Sequence, residues 1–304
     1  MLTIIHQLKS FIQLYHWKMW LIILSFCTAS VYSYYFTPLR YFLDNLRDFN
    51  EFSSFFITYF VHYFFAFILI FFVFKKEKIQ QRKQFLIIII LGFLIFSFRA
   101  TVYIHGNLIE TFSDDGQHRI NKFVFNDVFR LLYLTIPVAI IWFFNDRNNQ
   151  PLYGFSTKHH QTSFYWYLLL CMIPLLVFAG TQKEFTDYYP RFNVLNDMNP
   201  PAWKILMYEL CYGLDFFSIE LFFRGFLILG LVKYIGIHSI LPMAVFYMSI
   251  HFGKPMGETI SSFFGGIILG VISYHSKSIY GGIMVHAGIA WLMELSGYIG
   301  NSFK

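Results

Sequence analysis

Apolar stretches of about 20 residues recur from end to end of this 304-residue chain, and that recurrence constrains its fold more than any single residue does. A helix rising 1.5 Å per residue needs about 20 mostly apolar residues to cross a ~30 Å hydrocarbon layer. Runs near 17–37, 53–74, 85–105, 123–144, 164–180, 203–233, 238–253, 259–275 and 279–299 approach or meet that length. The run 238–253 is short, which fits a tilted or protein-buried helix. Only 13% of residues are charged, against about 25% in a soluble domain. A backbone in lipid must satisfy its own hydrogen bonds. The expected architecture is therefore an all-α, polytopic transmembrane helical bundle of eight or nine spans.

Charge placement predicts orientation. The segment 75–84, "KKEKIQQRKQ", gathers Lys75, Lys76, Lys78, Arg82 and Lys83 and marks a cytoplasmic loop. Lys9 and Lys18 then put the N-terminus inside. The loops 38–52, 106–122 and 181–202 mix acids with bases and suit the outer side. A multi-pass protein of the cytoplasmic (plasma) membrane is expected. The net charge of +6 is explained by this topology, so nucleic acid is not an expected partner. The first apolar run lacks a small-residue cleavage site and reads as a span rather than a signal peptide. Cys27, Cys171 and Cys211 lie in different apolar runs with no CxxC spacing, which predicts packing residues rather than a disulfide or cysteine-zinc framework.

The chain divides by character into helices over 1–180, an extracytoplasmic loop over 181–202 and a polar-bearing core over 203–299. Asn199, Pro200 and Pro201 read as a helix start, with Asn199 capping and a proline in the first turn. In the first part, Arg99 and Asp127 fall at similar depths in neighbouring spans and read as a structural ion pair. Gly266 and Gly270 in "GGIILG" form a small-xxx-small pattern that lets two helices approach closely.

The core carries the chemistry. "SIELFFRGFL" places Glu220 and Arg224 one helical turn apart inside an apolar run. Counting helical rise from the cytoplasmic ends puts Glu220 and His251 at ~20 Å, Arg224 at ~13 Å and His286 at ~10 Å. A carboxylate, a guanidinium and two imidazoles from three helices thus converge within the membrane, where ionisable groups are costly and mark function. A buried glutamate has its proton affinity raised by desolvation and lowered by an adjacent arginine. Together with histidines, it can activate water and stabilise an oxyanion. The same donors could instead form a two-histidine, one-glutamate zinc site with an open water position, although no HExxH motif is present.

"IELFFRG", "YMSIHFGKP" and "SIYGGIMVHAGIA" resemble the three motifs of the CPBP family, also called Abi or CAAX-type intramembrane proteases. The resemblance covers about 203–297. It maps the second motif glutamate to Glu220, the arginine to Arg224, the aromatic to Tyr247, and the histidines to His251 and His286. It implies an intramembrane endopeptidase acting on a membrane-associated peptide or protein, with Glu220 and His251 activating water and His286 stabilising the oxyanion. A divalent metal such as zinc remains open. Two positions depart from the pattern: the first motif glutamate is Ile219 and the polar residue closing the last motif is Ala290. Glu258 and Glu294 are then alternatives to Glu220 as base. A non-catalytic member of binding or bacteriocin-immunity type is the competing expectation. A transporter ranks last, because no inverted repeat or matched pair of broken helices appears.

Overall fold

The computed structural model describes residues 2–49, 51–73, 82–101, 118–157, 162–192 and 200–303, and every regular element among them is helical. In chain order these are α1 (Leu2–Gln13), α2 (Trp17–Phe36), α3 (Leu39–Phe49), α4 (Glu51–Val73), α5 (Arg82–Thr101), α6 (His118–Asn145), α7 (Thr162–Ala179) and α8 (Lys183–Tyr188). There follow α9 (Ala202–Glu220), a π-helical segment (Leu221–Leu229), α10 (Val232–Ile235), α11 (Ile240–Ser249), α12 (Met256–Ser276) and α13 (Tyr280–Ser302). Of the basic run 75–84, only Arg82, Lys83 and Gln84 belong to the described residues, and of the loop 106–122 only its end from His118 does.

Seven segments are long and apolar enough to cross a membrane, and the apolar helix Phe164–Ala179 is shorter. One of the seven, Ala202–Ser249, covers two of the runs read from the sequence. It folds back on itself. A Cβ on Gly270 would meet both Ile228 and Ile240 at 3.1 and 3.0 Å, while Tyr247 lies against Phe223 with ring centroids 5.0 Å apart. The two legs are therefore antiparallel. The second leg, α11, has 10 residues and rises only ~15 Å, half a bilayer core. Every residue of it is buried, as suits a short helix sheltered by protein.

One core joins the two parts of the chain: Ile23, Phe67 and Phe96 pack in the same cluster as Phe223, Phe246 and Phe263. Outside it, Leu21, Phe72, Phe144, Leu175 and Leu214 are exposed. That would be a liability in water and is the expected surface in lipid.

The helix α3 falls in a stretch read from the sequence as loop. Leu39, Phe42, Leu43 and Leu46 recur at helical spacing with Arg40, Asp44 and Asn45 between them, the pattern of a helix lying along a surface. At the start of α9, Pro201 is the N-cap and Ala202 the first helical residue, so the proline precedes the first turn; Asn199 lies outside the described residues. The expected Arg99–Asp127 pair is replaced. Arg99 bonds Asp215 of α9 at 2.5 Å, and Asp127 stands 3.9 Å from Arg130 on its own helix. Equal depth was not enough to select the partner, because α5 presents Arg99 to α9. The Gly266/Gly270 stripe does pack closely: Cβ atoms there would touch Ala244, Tyr247 and Ile240 of α11.

Candidate active site

The α9 helix hands over at Glu220 to a nine-residue π-helical segment, whose wide turn shows in the bond from Gly230 N–H to the Gly225 carbonyl. Such segments are frequent at functional sites. Glu220 and Arg224 are fully buried, and Arg224 Nη1 donates to Glu220 Oε1 at 2.8 Å. The guanidinium carbon lies 4.3 Å from the centroid of the Tyr247 ring, which gives its cationic face an aromatic partner. Burying this pair is costly in itself, and removing one partner leaves an uncompensated charge costing about 3–5 kcal/mol.

The α13 helix brings the second group. His286 Nδ1 stands 3.0 Å from Glu220 Oε1, and its Nε2 stands 3.1 Å from the Tyr247 hydroxyl. A carboxylate only accepts, so Nδ1 carries the proton towards Glu220. Close approach depends on a glycine. A Cβ on Gly282 would lie 2.1 Å from Glu220 Oε2, so α13 gives the carboxylate room only because position 282 lacks a side chain. Its neighbour Gly281 makes similar room for the Tyr165 ring of α7.

His251 lies in the turn between α11 and α12. Its Nδ1 is 2.8 Å from the Tyr247 carbonyl. A carbonyl cannot donate, so this nitrogen holds the proton and Nε2 offers a lone pair. Nε2 faces Glu258 Oε1 at 3.9 Å. Glu258 also accepts from Lys254 Nζ at 2.7 Å and from the Tyr189 hydroxyl at 2.9 Å. The turn is pinned by Thr259, whose hydroxyl donates to the His251 carbonyl, and by Tyr35, whose hydroxyl donates to the Lys254 carbonyl.

The structure thus brings together Glu220, Arg224 and His286, with Tyr247 completing their contacts. His251 joins through Tyr247: its ring centroid is 4.8 Å from that of the tyrosine, which in turn lies 5.9 Å from that of His286. The carboxylate beside His251 is Glu258 rather than Glu220. Glu294 is committed elsewhere, since its Oε1 accepts the Arg191 N–H at 3.1 Å and anchors the segment after α8. Ile219 is buried in the main core, and Ala290 packs with Tyr212, Phe216 and Ala287. Among the described residues no three His, Cys, Asp or Glu side chains converge as a metal-binding group. The zinc arrangement does not fit, because Arg224 occupies Glu220 while His251 turns to Glu258. Two features had little or no sequence signal: the π-helical turn and the role of Gly282.

These features define an integral membrane helical bundle with a buried glutamate–arginine–histidine–tyrosine centre. Residues 201–292 match the family model of type II CAAX prenyl endopeptidase Rce1-like proteins. That segment holds Glu220, Arg224, Tyr247, His251, Glu258, Gly282 and His286, and its similarity is to the CAAX-type proteases. Searches of curated proteins and of solved structures give no match.

Proposed function

We propose that the protein is an intramembrane endopeptidase that hydrolyses a peptide bond of a membrane-associated peptide or protein. The observation that carries this reading is the pair of imidazoles flanking Tyr247, one with a free lone pair and the other held between a carboxylate and a hydroxyl. In this reading, His251 Nε2 takes the proton of the attacking water. The Tyr247 hydroxyl donates to the carbonyl oxygen as negative charge develops on it, and His286 Nε2, 3.1 Å away, orients that hydroxyl. Glu220 fixes the His286 tautomer, and Arg224 fixes Glu220.

The test uses purified protein in proteoliposomes with two quenched fluorescent probes. One is a peptide ending in a prenylated Cys-aliphatic-aliphatic-X sequence; the other is an unmodified membrane-anchored peptide. Cleavage of one probe is expected, with kcat/KM reduced about 10²–10⁴-fold in His251→Ala and in His286→Ala. Undiminished cleavage by both variants would overturn the assignment. The apolar surroundings of Ile219 and Ala290 favour one competing reading, a non-catalytic member that keeps the cluster for structure. In that case neither probe is cleaved, and Glu220→Gln harms stability alone.

A further inference from the structure

We infer that Glu258 is the catalytic carboxylate paired with His251, and that Tyr189, from the segment after α8, positions it. This rests on the endopeptidase reading above and adds a residue to it.

Glu220 is poorly placed for that work. Its Oε1 is shared by Arg224 and His286, and its Oε2 abuts Gly282. Position 219, where the motif carries its first glutamate, holds a buried isoleucine. Glu258 is differently situated. The 3.9 Å between its Oε1 and His251 Nε2 is too long for a direct hydrogen bond and suits one water bridging the two. Its side chain is 14% exposed and that of Lys254 26%, so water reaches the pair from this end of the bundle. Three separate elements hold the carboxylate: its own helix, Lys254 in the turn, and Tyr189.

Tyr189 is not a chance neighbour. It is 1% exposed, and Asn301 Nδ2 donates to its carbonyl at 3.0 Å. A Cβ on Gly297 would sit 2.5 Å from its carbonyl carbon, so α13 grips the tyrosine backbone and delivers its hydroxyl to Glu258.

The step balances without a further reactant. A water between the two groups donates one hydrogen to Glu258 Oε1 and the other to His251 Nε2. As its oxygen bonds to the scissile carbonyl carbon, His251 takes the proton, since the lysine ammonium already engages Glu258 Oε1. The carbon–nitrogen bond then breaks, and the proton held on His251 passes to the departing amine.

Glu258→Gln keeps the shape and removes the charge, and is expected to lower kcat at least ~100-fold. Tyr189→Phe is expected to lower kcat about 3–10-fold with KM unchanged, and Glu258→Asp to retain part of the rate. Near-wild-type cleavage by Glu258→Gln beside an inactive His251→Ala overturns the assignment of Glu258 and leaves the endopeptidase reading standing; an active His251→Ala overturns both. If Glu258→Gln does not fold, the kcat of folded Tyr189→Phe decides: a wild-type value overturns the inference. If neither probe is cleaved, ¹⁵N-histidine NMR in detergent reads the pair directly. His251 is also faced by the cations Lys254 and Arg224 and by His286, and Glu258 is the carboxylate 3.9 Å from its Nε2, so Tyr189→Phe, which loosens that anion, should lower its protonation midpoint. An unchanged midpoint overturns the inference.

Discussion

Replacing Gly282 by alanine adds one methyl group at the closest approach between α13 and Glu220. The new Cβ would lie 2.1 Å from Glu220 Oε2 and 3.0 Å from its carboxyl carbon. Reaching ordinary contact near 3.4 Å requires a shift of roughly 1.3 Å. The carboxylate has little freedom to make it, because Oε1 is bonded at 2.8 Å to Arg224 and at 3.0 Å to His286. A shift of that size takes at least one of these contacts out of hydrogen-bonding range. One charge-assisted bond is worth about 1.5–3 kcal/mol, and alanine returns about 1 kcal/mol of helix propensity. The net loss is about 0.5–2 kcal/mol, rising towards 3 if the ion pair opens. Gly265→Ala is the control, since a Cβ there meets nothing within 4 Å, and it should be neutral or slightly stabilising. Both variants can be unfolded in mixed micelles by denaturing detergent and followed by circular dichroism. Equal stability of the two would refute the reasoning, because position 282 would then not be the constraint on Glu220.

Further predictions concern the surroundings of the site. Arg99→Met should cost about 3–5 kcal/mol by stranding the partly buried Asp215. The double variant Arg99→Met/Asp215→Leu should recover most of that in the same unfolding assay. Ala290→Asn, which supplies the polar type the motif carries, should lower stability by about 1–3 kcal/mol, because the amide enters an apolar cluster with Tyr212 and Phe216. Cleavage rate should not rise in that variant.

Much of this arrangement was legible in the residues. Glu220 and Arg224 at i,i+4 had to share a helix face, and the rise per residue brought His286 within reach of them across two apolar spans. Counted rise still left Glu220 and His286 ~10 Å apart in depth, whereas their side chains meet at 3.0 Å. His251 sits in a turn, where counting rise along a helix does not reveal that its ring stands 3.9 Å from Glu258. Depth also could not choose between Asp127 and Asp215 for Arg99, since both lie on helices packed against the same region. Hydropathy alone concealed α3, whose apolar residues recur at helical period between charges. The π-helical turn at 221–229 has no periodic signature in a run that is apolar but for Arg224, and the role of Gly282 depends on the carboxylate opposite it, which no local pattern reveals.

The account stands on a contact between the 220–224 turn and α13, and a double-mutant cycle of Glu220→Gln and His286→Ala measures it directly through unfolding free energy. A coupling of about 1–3 kcal/mol is expected for two groups sharing one buried hydrogen bond. Effects that add to within about 0.3 kcal/mol would mean that the two side chains do not meet, and the centre described here would not exist.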